Sequence, residues 1–308
     1  MAGGRVDSAR ARETGCLVVR RWRLRIAGGL ILLVLAGAGG LYLHRESAPS
    51  SSWCAQVPSK AAGPAKKGAG TWNFTGVDQT LAKAGLSWYY TWGPKGLAPA
   101  ASPEFVPMIW GADDARQMAI DTGGDYLLGF NEPDVADQAN LTVDEALGWW
   151  PRLVATGRRL GSPAVSSGAA TAGGWLDRFL SGATARGLSV DFVALHWYGS
   201  DFTDPGKATL DLCNYLASVY DRYGKPIWLT EYALADFTRG VPNATYPTPA
   251  QQKAFVDASL PMLDGLPFVQ RYAWFALCDS GSAFHTGLYS DASTLTPAGA
   301  AYLSGAAG

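Results

Sequence analysis

The chain has 308 residues, 48% hydrophobic and 12% aromatic, which is enough for a sizeable core in one large domain or two small ones. Its formal charge of −1 is unevenly spread. Arg5, Arg10, Arg12, Arg20, Arg21, Arg23 and Arg25 face only Asp7 and Glu13 before residue 26, so the remainder is net acidic and a poor match for nucleic acid.

Residues 1–25 form the basic lead. Residues 26–43 (IAGGLILLVLAGAGGLYL) are an uncharged apolar run long enough to cross a bilayer. The arginines on its amino side place the chain beyond residue 44 outside the cytoplasm. The run reads either as a retained membrane anchor or as the apolar region of a signal peptide, with Ala36-Gly37-Ala38 as a small-residue cleavage site. Residues 44–64, rich in Ser, Ala and Pro, read as a linker.

Residues 65–308 alternate strand-like and helix-like segments. A β-like run at Lys67–Trp72 precedes a helix around Val77–Gly85; Leu86–Trp92 and Phe105–Trp110 precede a helix over Asp113–Thr122. Tyr126–Glu132 leads to a helix across Val143–Leu160, Ala164–Ser167 to Trp175–Ala185, and Asp191–Trp197 to Thr209–Tyr223. Ile227–Glu231 precedes Ala250–Leu263, and Val269–Ala276 precedes a short helix from Pro297. Eight apolar strands with helical returns suit a (β/α)8 barrel, a parallel sheet covered on its outside. An open doubly wound sheet is the alternative, but no GxGxxG or phosphate-binding loop opens the domain.

Cys16 precedes the apolar run, and Cys213 lies on an apolar helical stripe that reads first as packing. A disulfide among Cys54, Cys213 and Cys278 suits a compartment outside the cytoplasm, with its pairing left open. With His44, His196 and His285 as the only histidines, and no CxxC, a metal site is not expected and no cofactor is implied.

Two strands end in glutamate: YLLGFNEPD (Tyr126–Asp134) delivers Glu132, and IWLTE (Ile227–Glu231) delivers Glu231. In a barrel, strand carboxyl ends converge on one mouth. Paired acids there suit glycosidic cleavage, one protonating the leaving oxygen while the other attacks or activates water. Read singly, either glutamate is as easily a cap or a salt-bridge partner. Asn131 reads as a donor or acceptor for a sugar hydroxyl, or else as a turn residue. His196 and Tyr198 sit where either could aim a carboxylate. Trp72, Trp92, Trp110, Trp197 and Trp274 fall near strand ends, where indoles stack on sugar faces. Trp149, Trp150 and Trp175 fall on helices and read as core.

Six segments carry a family resemblance. EFVPMIWG, LLGFNEPD, SPAVSSG, VDFVALHWYG, GKPIWLTEYA and RYAWF, in order between residues 66 and 304, resemble the Asl1-like glycoside hydrolase catalytic domain, glycoside hydrolase family 128. The resemblance implies a (β/α)8 barrel and a retaining endo-β-1,3-glucanase. It maps Glu132 onto the acid/base and Glu231 onto the nucleophile, and Trp110, His196, Trp197, Tyr198 and Trp274 onto the sugar cleft. Two places depart from the pattern: the opening Lys66–Asn73, and Thr91 where Asn is common. Both bear on subsite number and on endo versus exo action. Alternatives are a glycosidase on another β-glucan, a mannan or a cell-wall polysaccharide, a non-catalytic carbohydrate-binding protein, or a structural envelope protein. The expected partner is a polysaccharide or oligosaccharide, with membrane attachment if residues 26–43 are retained. The chain is expected to be monomeric and extracytoplasmic.

Overall fold

The structure is a computed structural model that describes residues 52–55, 66–97, 103–121, 123–280 and 282–304. The basic lead and the apolar run lie outside these residues. Among the described residues no helix is long and apolar enough to cross a membrane.

Eight parallel strands form the centre: β1 (Lys67–Gly70), β2 (Trp88–Tyr90), β3 (Glu104–Phe105), β4 (Tyr126–Leu127), β5 (Arg159–Leu160), β6 (Val193–Gly199), β7 (Ile227–Leu234) and β8 (Val269–Phe275). Six pair in the order β3-β2-β1-β8-β7-β6, and β4 pairs with β5. Isolated parallel bridges Met108↔Leu128 and Gly161↔Phe192 join the two groups at both ends. Parallel pairing therefore runs round a ring, as in a (β/α)8 barrel. The open-sheet alternative does not fit that closure.

Helices α2 (Val77–Lys83), α3 (Ala112–Gln117), α4 (Val143–Val154), α5 (Trp175–Ala185), α6 (Pro205–Tyr223), α7 (Pro249–Gly265) and α8 (Pro297–Leu303) follow a single helical turn, α1 (Ser52–Ala55). Capping fixes several starts: Thr142 and Thr248 open α4 and α7 with reciprocal bonds to Glu145 and Gln251. Several expected boundaries shift: β3 and β4 stop at Phe105 and Leu127, short of Trp110 and Glu132, and β7 runs past Glu231 to Leu234. The helix read as Val143–Leu160 stops at Val154, since Gly157 turns left-handed (φ 70°) and Arg159 enters β5. The fifth strand is then Arg159–Leu160, and Ala164 keeps only an isolated bridge to Asn131.

Two apolar layers result. The outer one packs strands on helices, with Leu195, Leu229 and Tyr232 facing Leu212, Phe255 and Leu263. The inner one fills the ring with Trp88, Tyr90, Val106, Met108, Leu128, Phe192, Trp228 and Ala273. Gly70 makes room for it, because a Cβ there would come within 2.6 Å of the Trp92 ring. Below that layer Arg271 lies over Trp228 and Tyr126, 4.4 and 4.7 Å from the ring centres, and pairs with Glu104 at 2.7 Å. This plug closes the amino end of the ring and leaves chemistry to the carboxyl end.

Part of the expected linker is anchored. Cys54 in α1 is disulfide-bonded to Cys213 in α6, and Trp53 packs edge-on against Tyr220 and Phe268. Cys213 is thus both buried packing and half of a cross-link, while Cys278 is a free, buried thiol.

Candidate active site

Glu231 reaches the mouth through a break in strand periodicity. Trp228 faces the inner layer and Leu229 the outer one, so strict alternation would turn Glu231 outward. The β6–β7 register instead slips, pairing Leu195 with Leu229 but His196 with Glu231. Such a slip re-aims side chains. Glu231 then points inward, and Tyr232 turns out against Phe255 and Trp274.

Glu132 leaves β4 by a different device. Its φ of 40° is left-handed although Pro133 follows, and its N–H donates to Ala164 O at 2.7 Å. Trp92, at φ 53°, is a second non-glycine residue in that region. Each such conformation costs about 1–3 kcal/mol and gathers where function demands it. Both side chains serve the same cluster.

His196 joins the acids. Its Nδ1 lies 3.0 Å from Glu132 Oε1 and its Nε2 3.4 Å from Glu231 Oε1. One atom from each of the three groups falls within 4.8 Å of the other two. Glu231 accepts from the Tyr198 hydroxyl on Oε2, and from Trp92 Nε1 (2.6 Å) and the Tyr90 hydroxyl (3.3 Å) on Oε1. Burial raises the Glu231 carboxyl above its usual range. The His196 charge lowers it, Glu132 pushes it up, and the Tyr198 and Trp92 donors favour the anion. Burial also pushes the Tyr90 and Tyr198 phenols up, so both remain donors.

A cleft of about 660 Å³ opens above the cluster, lined by Glu132, Glu231, Asn131, Tyr198, Phe237 and Phe284 among others. Asn131 donates to Gln138 at 3.2 Å, while its buried Oδ1 has no protein partner and is left as an acceptor toward the cleft.

The expected tryptophan rim is only partly there. Trp274 is fully buried, its indole N–H donating to Thr286 O, and it packs outside the ring on Tyr232 and Tyr302. Trp197 also faces outward, stacked on Phe255. Neither contacts the cleft, because each alternates with an inward neighbour, Ala273 and His196 respectively. Trp72 is buried behind the wall, stacked on Trp92, with its N–H donated to Ser280 O. Trp92 acts on Glu231. Trp110 is half-buried in the segment beyond β3, its carbonyl accepting from Asn131 N. Thr91 bonds within its own loop, to Lys95 O. The aromatic wall is instead Phe275, Phe284 and Phe237, with Tyr198 edge-on to Phe275 and Phe237. Phe237 and Phe284 sit on loops beyond β7 and β8, where no periodic pattern marks them.

A parallel α/β ring with two glutamates joined at its carboxyl mouth defines a glycoside hydrolase. Residues 69–302 match the family model of the glycosyl hydrolase catalytic core, and the chain belongs to that family. Among solved structures, a family 128 (subgroup I) endo-β-1,3-glucanase from Amycolatopsis mediterranei, in complex with laminaritriose, is 50% identical at a TM-score of 0.70. That match covers 78% of this chain and 99% of that one. A subgroup VII oligosaccharide-binding protein from Trichoderma gamsii is 26% identical, covering 82% and 96%, at a TM-score of 0.61. Alkali-sensitive linkage protein 1 of Schizosaccharomyces pombe (strain 972 / ATCC 24843) is 31% identical over 240 residues, 74% of this chain. The match spans 42% of that relative's length.

Proposed function

We propose that this chain is a retaining endo-β-1,3-glucanase in which Glu231 attacks the anomeric carbon while Glu132 protonates the leaving oxygen, then activates water. The carrying observation is the approach of the two carboxylates, whose nearest cluster atoms lie within 4.8 Å. Retention needs carboxyls roughly 5–5.5 Å apart, whereas inversion leaves about 6.5–9.5 Å for a water between them. The roles follow from environment. Glu231 is buried and accepts three donors, which suits an anionic nucleophile. Glu132 is more open to the cleft, where a leaving group would lie. Asn131 Oδ1 supplies an acceptor for a hydroxyl of the reacting sugar. The β-1,3 linkage and endo action rest on the 50% identity to the Amycolatopsis enzyme.

An extracytoplasmic location is supported by the Cys54–Cys213 disulfide and by the basic and apolar leader, which anchors the enzyme if retained. We take the enzyme to act as a monomer on its polysaccharide. The likeness to an oligosaccharide-binding protein favours one second reading, binding without turnover. Reducing-sugar release from laminarin separates the two. Glu231→Ala should lose about 10⁴-fold or more, and Glu132→Gln about 10²–10⁴-fold. Unchanged hydrolysis in both variants, or tight binding without hydrolysis by the unmodified chain, contradicts the proposal.

A further inference from the structure

The cleft is lined by acids: Glu132, Glu231, Asp137 and Asp236. Among the described residues no lysine or arginine lines it. The retaining cycle proposed above nonetheless moves a full negative charge from Glu231 to Glu132 and back. His196, 1% exposed, stands between the two carboxylates with a ring nitrogen toward each.

We infer that His196 is a permanent imidazolium that serves as counter-ion to Glu231 and Glu132 in turn, without exchanging its own protons during turnover. Both ring edges face acceptors. Glu231 Oε1 already receives Trp92 and Tyr90, so a bare Nε2 lone pair would meet an anion. At Nδ1, a bare nitrogen would draw the Glu132 proton onto the ring-facing oxygen, away from the leaving group. A ring protonated at both nitrogens avoids both conflicts. Nε2 has no protein hydrogen-bond partner and sits at ion-pair distance, so charge rather than a directed bond links it to Glu231. The charged groups acting on the ring are Glu132 and Asp134 from beyond β4 and Glu231 from β7, while the Tyr198 and Tyr90 hydroxyls bond Glu231. The phenols donate and bring no positive charge. Burial is the largest influence on the ring and opposes its charge, yet Glu231, Glu132 and Asp134 together hold its pKa above the ordinary histidine value.

Charge then balances at every stage. At rest Glu132 is protonated, His196 cationic and Glu231 anionic. A Glu231 oxygen bonds the anomeric carbon, the glycosidic C–O bond breaks, and the Glu132 proton passes to the departing oxygen. Glu231 is now a neutral ester and Glu132 an anion, at the other edge of the same ring. Water next attacks the anomeric carbon, its proton passes to Glu132, and Glu231 leaves as the carboxylate. The ring neutralises whichever carboxylate is charged.

Nitrogen-15 NMR on the full-length, unmodified chain reads the ring directly. The signals of His44 and His285 are assigned by His44→Gln and His285→Gln, so His196 need not be replaced. Both His196 nitrogens should remain protonated across about pH 5–8, with no titration near the ordinary value of ~6.5. One bare nitrogen at neutral pH, or titration near ~6.5, overturns the inference. The readout needs no turnover, so a failed glucanase assignment would appear separately as absent reducing-sugar release. His196→Gln supplies a second arm. The cation lowers the Glu231 carboxyl, so its loss should move the acidic limb of the kcat/KM profile upward by about a unit or more. An unmoved acidic limb in an active His196→Gln enzyme contradicts a permanent charge.

Discussion

Glu231 shows how a single residue can be legible in sequence while its placement is not. The motif IWLTE places an acid at a strand end, whereas β7 runs on to Leu234, and the slip that turns the side chain inward leaves no trace in the alternation of Trp228, Leu229 and Thr230. The same limit explains Trp197 and Trp274, which share their strands with inward residues but face helices. It also hid the role of Trp92, whose ring packs with Trp72 while its N–H donates to Glu231. Burial raises the Glu231 carboxyl, so the acidic limb of kcat/KM should lie above the ordinary glutamate value of ~4.3. Trp92→Phe keeps a ring but removes a donor to a charged acceptor, a bond worth about 1.5–3 kcal/mol. Its kcat/KM should fall roughly ten- to hundred-fold, with the acidic limb moved higher still, since the lost bond favoured the anion. A Trp92→Phe enzyme with an unchanged acidic limb would reduce that indole to packing.

At the scale of elements, order and type were readable and boundaries less so. Seven of the eight strands and the returning helices followed from apolar runs, because those signals are local, while Arg159–Leu160 reads in sequence as the end of a helix. The fifth strand moved forward to Arg159–Leu160 because its pairing with β4 is decided by partners distant in sequence. The attachment of α1 to α6 was readable only in part: a disulfide among Cys54, Cys213 and Cys278 is expected, but residues 44–64 have linker composition and a pairing across 159 residues has no local signal. That bond restrains a long loop in the unfolded chain and should stabilise by about 2–4 kcal/mol. Cys54→Ser with Cys213→Ser should therefore lower Tm while leaving kcat nearly unchanged, because α1 and α6 lie outside the ring. An unaltered Tm would mean that α1 contributes little to the folded state.

For the whole molecule, the ring performs two separate tasks. Its amino end is closed by Arg271 among aromatic rings, and its carboxyl end gathers Glu132, His196 and Glu231 beneath an acidic, aromatic-walled cleft. Strands β6 and β7 thus carry His196 and Glu231, the segment beyond β4 carries Glu132, and the loops beyond β7 and β8 carry the wall. The acids were readable because each follows an apolar run, although β4 stops at Leu127 and β7 runs on to Leu234; the wall was not, because loop residues such as Phe237 and Phe284 obey no period. Separation of the two carboxylates is what turns this architecture into one stereochemical outcome. Proton NMR of laminari-oligosaccharide hydrolysis, followed from the first minutes, reads that outcome directly. The β-anomer of the new reducing end should appear first and the α-anomer only later by mutarotation; initial release of the α-anomer would contradict a glycosyl-enzyme on Glu231.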